Sequence, residues 1–174
     1  MVSESKRVLH VGCGSATIAK LPPGFKDGGW SEVRLDINPA VKPDIIGTIT
    51  NMPDVPSGSM DTVYSSHNIE HVYAHEVIQA LQEFRRVLKE DGFAVITCPD
   101  LQEVAARMAD GRLFDPLYVS PAGPIAPIDI VYGHRASIAR GETYMAHRTG
   151  FSLRTLMSCC RDAQFAAAAR KRRQ

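Results

Sequence analysis

Short apolar runs alternate along the chain with stretches of helical spacing, the rhythm of strands interleaved with helices. Arg7-Val8-Leu9-His10-Val11 is a mostly apolar run that halts at Gly12, which predicts a buried strand entering a tight turn. Between Ser15 and Trp30 stand Pro22, Pro23, Gly24, Gly28 and Gly29, so any helix there spans at most about two turns. Glu32-Val33-Arg34-Leu35-Asp36-Ile37 alternates and runs into Asn38-Pro39, a second strand with its stop. Asp44 to Gly47 is a weaker third strand. Asp61 to Ser66 is a fourth, introduced by the turn residues Pro56, Ser57, Gly58 and Ser59.

Val77, Ile78, Leu81, Phe84 and Leu88 recur at helical spacing, with Gln82, Glu83, Arg85, Arg86 and Lys89 on the other faces. This helix is expected to end at Asp91-Gly92, with the glycine supplying a left-handed C-terminal conformation. Phe93 to Cys98 then reads as a fifth strand and Gln102 to Ala109 as helix-prone. The stretch from Gly111 to Gly133, with Pro116, Pro121, Pro124 and Pro127, reads as irregular. A second amphipathic helix is capped by Ser152 and runs through Leu153, Leu156 and Met157 to about Cys160. Phe165 to Ala169 reads as a last strand, with an alanine-rich helical end as the alternative. The pattern predicts an α/β fold: a mostly parallel sheet of about six strands with helices on both faces, a Rossmann-like three-layer sandwich.

Composition narrows the function classes. The length, 174 residues, suits one domain, with an irregular insertion at about 111–150. A formal net charge of +1 gives no electrostatic case for nucleic acid, and the basic tail Arg170-Lys171-Arg172-Arg173 reads as a solvated chain end. No stretch approaches the roughly 20 apolar residues that span a bilayer. The four cysteines, at 13, 98, 159 and 160, form no C-x-x-C pair, which together with the lack of a signal-type run predicts reduced thiols and a cytoplasmic protein. Oligomeric state has no sequence signal.

In a parallel sheet the ligand sits beyond the carboxyl ends of the strands, so residues just after strands carry the chemistry. Three such ends stand out: Gly12-Cys13-Gly14-Ser15, Asp36, and Ser65-Ser66-His67. Glycines there let backbone approach a ligand, and an acid closing the second strand can accept both hydroxyl hydrogens of a ribose. A dinucleotide fingerprint needs a third glycine or alanine where this chain has Thr17, with Pro22 and Pro23 cutting short the helix that would face a pyrophosphate. A nucleoside without a pyrophosphate fits better. The P-loop is excluded, because no glycine-lysine-serine or glycine-lysine-threonine follows.

The chain resembles the class I S-adenosylmethionine-dependent methyltransferases, and among them the small type 11 group. The resemblance rests on Val8 to Gly14, Arg34 to Pro39, Asn51-Met52-Pro53, Asp61 to His71, Arg86 to Phe93 and Cys98-Pro99-Asp100, and covers roughly residues 6–100. It implies S-adenosylmethionine as cofactor, with Gly12, Cys13 and Gly14 under its methionine part and Asp36 on the ribose hydroxyls. Ile37, Ile49 and Thr50 would border the adenine, Ser65 and Ser66 the sulfonium end, and His67 the substrate side, as a candidate general base. It further implies transfer of a methyl group to a small-molecule or carbohydrate-related acceptor. Three positions depart from the family pattern. His10 stands where many members carry an acid that helps place the cofactor ammonium, which implies weaker affinity. Thr48 stands where an aspartate often meets the adenine, and the chain ends too soon for the usual last strand. A non-catalytic cofactor-binding or scaffold protein is the alternative from these departures; a NAD-dependent oxidoreductase is disfavoured by Thr17.

His67, His71 and His75 fall four apart, and a helix would stack them on one face near Glu70. No further ligand stands nearby in sequence to complete a shell, so no metal site is expected. Tyr132, His134 and His147 lie in a polar-aromatic segment that the resemblance places over the methyl-donor mouth. They are substrate-pocket candidates, with loop-tying hydrogen bonds as the competing role.

Overall fold

A computed structural model describes residues 5–120 and 122–169; the basic tail lies outside the described residues. Five strands, β1 (Lys6–Val11), β2 (Trp30–Asp36), β3 (Ile45–Ile46), β4 (Met60–Ser66) and β5 (Leu88–Thr97), form one sheet in the order β3-β2-β1-β4-β5. Every pairing in it is parallel. The fold is the Rossmann-like α/β arrangement predicted from the alternation of strands and helices.

The strand period of two divides the side chains between two layers. Leu9, Val11, Leu35 and Val63 point to one face and pack with α1 (Val77–Val87) and α5 (Leu153–Asp162) in the main core. Val8 and Tyr64 point to the other face, where Leu21 and Phe25 cover them. That second layer consists of two 3₁₀ turns, Ile18–Lys20 and Pro23–Phe25, because the proline and glycine run cannot sustain an α-helix. α2 (Leu101–Ala109) starts on an Asp100 cap that accepts from the Gln102 N–H, and Ser152 caps α5 by accepting from Thr155. The segment expected to be irregular contains an antiparallel ribbon, β6 (Tyr118–Ser120) with β7 (Gly123–Ile125), and two short helices, α3 (Pro127–Tyr132) and α4 (Arg135–Ala139). Val104, Ile125 and Ile130 bind this region together as a small satellite core.

Two expectations are corrected. α1 stops at Val87, and the chain turns directly into β5 at Leu88, which pairs with Met60. The carbonyls of Arg86 and Val87 accept from the N–H groups of Gly58 and Ser59, so no left-handed glycine is needed to end the helix. Gly92 instead lies inside β5 at an irregularity in its register with β4. A side chain there would press at 3.1 Å against the Asp61 and Lys89 carbonyls. The second correction is at Phe165 to Ala169, which forms no strand. Phe165 instead packs on the main core just beyond α5, which an apolar ring achieves without pairing.

Arg86 ties α1 to the chain before β4. Its guanidinium donates to both carboxylate oxygens of Glu83 and to the carbonyls of Met52 and Val55. Glu83 also accepts from the Met52 N–H. The Arg86 bond holds the Glu83 carboxyl below its ordinary range, with burial opposing and the Met52 amide assisting. A depressed carboxylate stabilises the fold above its unfolded pKa, and the contribution fades as pH falls through the folded value. Arg86→Ala is therefore expected to cost about 2–3 kcal/mol at about pH 7, and distinctly less at about pH 3, by chemical denaturation at the two pH values.

Candidate functional site

Strand β1 is the point where strand order reverses, with β2 and β3 on one side and β4 and β5 on the other. Chains leaving the carboxyl ends of β1 and β4 diverge there and open a cleft. The cleft holds ≈ 480 Å³, within the usual range for small-molecule sites. Gly12, Gly14, Asp36, Ile37, Ile49, Thr50 and His67 all line it.

Gly12 and Gly14 have left-handed backbone, φ 59° and 52°. A Cβ on Gly12 would stand 2.5 Å from the Asn68 side chain, so only glycine admits this close crossing of the two loops. Asp36 is buried, and its carboxylate accepts from the Gly14 N–H at 2.7 Å and the Asn38 N–H at 2.8 Å. Each oxygen keeps acceptor capacity for a further donor from the cleft. Ile37, more than half exposed at the rim, offers an apolar surface beside it.

Other predicted residues lie outside the lining of the cleft. The Cys13 side chain is buried, and burial lifts its thiol above the ordinary value, so it packs and stays protonated. Ser65 follows the strand alternation onto the α1 face, where its buried hydroxyl has no partner. The Ser66 hydroxyl accepts from Thr97 on the neighbouring strand. Tyr132 points outward, and the His134 ring bonds to the Ser137 hydroxyl, a loop-tying role. His147 Nδ1 lies 2.6 Å from the Ile130 carbonyl, which fixes it as the donor. Burial lowers the His147 pKa, against that bond, and leaves the ring neutral near pH 7.

The histidines after β4 do not share a helix. His67 sits in left-handed backbone, φ 51°, and two 3₁₀ turns, Ile69–His71 and Ala74–Glu76, follow it. His75 stacks on Tyr73, remote in role from the others. His71 lines the cleft, and its ring meets that of His147 edge-on at 4.8 Å.

Several contributors escaped the sequence reading. Arg34, next to Asp36 on the same strand face, donates to the carbonyls of Gly14, Ala16, Val41 and Lys42, and so clamps the glycine turn to the chain after β2. Tyr144 crosses the cleft and accepts from the Asn38 amide at 2.8 Å. The Asn68 Nδ2 donor, in the cleft wall beside Gly12, is buried without a partner. An arginine flanking a strand-end acid is the one of these with a sequence signal, since five donors at such a place need acceptors. His10, the departure from the family pattern, faces the second layer. It bonds Glu32 at 2.8 Å, packs edge-on against Tyr64, and leaves Glu32 to accept the Ile18 N–H. It is a structural residue, and its ring is absent from the lining of the cleft.

These residues suit an adenosine-bearing sulfonium ligand: an acid with spare acceptor capacity, an apolar ledge, a backbone crossing that excludes side chains, and an orphaned amide donor. The element that follows the glycine turn is a 3₁₀ turn, where a pyrophosphate would need an α-helix start.

The comparisons bear on the fold and the family. Residues 9–96, just over half of the chain, match the family described as methyltransferase domain. Among solved structures, a S-adenosylmethionine-dependent methyltransferase from Methanosarcina mazei superposes with a TM-score of 0.60 at 16% identity, covering 94% of this chain and 81% of that one. One from Archaeoglobus fulgidus gives 0.56 at 18%, covering 92% and 61%, and one from Thermotoga maritima 0.55 at 18%, covering 95% and 67%. At such identities the likeness shows the fold, and the chain spans about three fifths of the Archaeoglobus protein's length. No curated protein sequence matches the chain. The family match, on a fold shared with these enzymes, shows that the chain belongs to the methyltransferase domain family, whose methyl donor is S-adenosylmethionine.

Proposed function

We propose that the chain binds S-adenosylmethionine in the cleft beside β1 and transfers its methyl group to a small, polyhydroxylated acceptor. One observation carries this reading: the switch-point cleft brings Gly12, Asp36 and the unpartnered Asn68 amide together. Asp36 would hold the ribose hydroxyls, Ile37 and Ile49 the adenine, and Gly12 and Asn68 the methionine part. The cofactor supplies a methyl group already activated on a sulfonium.

The protein's task is then alignment and exclusion of water. Arg34 holds the glycine turn in register with Asp36, and the Tyr144–Asn38 bond draws residues 142–145 across the cleft. Polar side chains, His67, Glu76, Glu142 and Arg148, line the rest of the wall, which suits an acceptor rich in hydroxyls. His67, half exposed with Nδ1 3.5 Å from Glu70, is positioned to take an acceptor proton if one must leave.

Calorimetry with S-adenosylhomocysteine tests the cofactor assignment; absence of heat at millimolar ligand would sink it. Asp36→Ala is expected to weaken binding tenfold or more, about 1.5–3 kcal/mol, with the fold checked by circular dichroism. Arg34→Ala is expected to weaken binding about tenfold by loosening the glycine turn. Arg34→Lys should recover little of that loss, because an ammonium cannot span four carbonyls as the guanidinium fork does. Unchanged affinity in Arg34→Ala would remove the clamp from the account.

A further inference from the structure

Just below the cleft lies a polar cluster that the cofactor reading does not use. Glu70 is 1% exposed, and among the described residues neither of its carboxylate oxygens has a hydrogen-bond partner. A buried carboxylate with no donor is a costly arrangement that calls for an explanation, such as a bound ion. Among the described residues no lysine or arginine pairs with it, and His67 Nδ1 stands 3.5 Å from it. Donor atoms of Glu70, His71 and His147 all lie within 4.8 Å of one another.

The surroundings prepare both rings as ligands. His71 Nδ1 lies 3.1 Å from the Ala146 carbonyl and His147 Nδ1 2.6 Å from the Ile130 carbonyl. A carbonyl only accepts, so in each ring Nδ1 carries the proton and Nε2 presents its lone pair. Backbone acceptors that fix the tautomer in this way are the usual outer support of metal-bound histidine. The backbone is fastened as well: the N–H groups of Arg148 and Thr149 donate to the Glu70 carbonyl, which carries His147 to its place beside Glu70 and His71.

We propose that Glu70, His71 and His147 form a binding site for one divalent transition-metal ion of the zinc type, a second ligand site beside the cofactor cleft. Two neutral imidazoles and one carboxylate are a common donor set for such an ion, and three protein ligands leave a position open. Ligand atoms around tetrahedral zinc stand roughly 3.3–3.6 Å apart, given bonds of about 2.0–2.2 Å, so the triad must draw in to hold the ion. His71 belongs both to the triad and to the cleft wall, which places the ion next to the cleft. His67, with Nδ1 3.5 Å from Glu70, stands on the cleft side of the triad as a fourth ligand or as the neighbour of a bound water. An acceptor oxygen is the natural ligand for the open position; that role rests on the methyltransferase reading, whereas binding of the ion does not.

The test uses the full chain without a histidine tag, stripped with a chelator and titrated with Co²⁺ by its visible absorption and with Zn²⁺ against a chromophoric chelator. One ion per chain is expected, at about micromolar affinity or tighter, with the Co²⁺ band intensity of a four- or five-coordinate site. Glu70→Gln and His147→Gln should each lower affinity by more than about a hundredfold, while His75→Gln, at an exposed ring outside the triad, should not change it. His147→Gln serves if Glu70→Gln does not fold. Uptake well below one ion per chain at saturating metal, or equal affinity in wild type and a folded triad variant, overturns the site. S-adenosylhomocysteine calorimetry on the same preparation separates the two readings: cofactor binding without metal uptake removes the metal site alone, and metal uptake without cofactor binding removes the cofactor assignment alone.

Discussion

Parallel pairing of β1 with both β2 and β4 is the constraint on which the molecule depends. A central strand flanked by parallel neighbours must send its chain to one side and receive later strands on the other. The loops beyond its carboxyl end therefore part, and a cleft follows from the topology. Gly12 lies where β1 leaves the sheet, and its left-handed backbone and missing Cβ let the β4 loop, through Asn68, cross at close range. Ligand site and strand order are thus one decision.

Charge is handled differently at three depths. At the cleft, Asp36 is held by backbone amides, while Arg34 spends its donors on carbonyls of the loops around it, so neither neutralises the other directly. On the second face Glu32 bridges His10 to the start of a 3₁₀ turn, a buried polar pair that fastens the layer where an α-helix cannot form. Deepest of all, Glu70 is buried with no hydrogen-bond donor among the described residues, near His71 and His147, whose Nδ1 atoms are tied to backbone, and 3.5 Å from His67 Nδ1. The second arrangement is complete within the protein, while Asp36 keeps acceptor capacity toward the cleft and Glu70 accepts no hydrogen bond among the described residues.

Glu70 also influences its surroundings on the core side. Burial, with the Glu70 charge next in weight, pushes the Cys98 thiol up to about 12. A thiol so placed stays protonated and behaves as a small apolar group, in keeping with its packing on the main core. The other cysteines are free as well, and among the described residues no helix is long and apolar enough to cross a membrane.

Strands β1, β2 and β4, the α5 cap and the glycine turn with Asp36 were legible in the sequence, because each is written in local pattern: period two, a serine before an apolar run, glycine where backbone must turn. The end of α1 was not, since Leu88 continues the helical spacing; pairing with Met60 and the amides of Gly58 and Ser59 decided it. Residues 165–169 are one aromatic followed by four alanines, which carry no clear period, and Phe165 packs on the core beside α5. The histidines show the division most sharply. Sequence spacing joined His67, His71 and His75 on a helix, and with no helix there the spacing lost its meaning. Chain folding brought His147, 76 residues beyond His71, to the ring that counts. Local pattern determines which elements form and where a strand ends. Which side chains share a buried charge depends on distant backbone hydrogen bonds, such as those from Arg148 and Thr149 to Glu70, and only the tertiary structure supplies them.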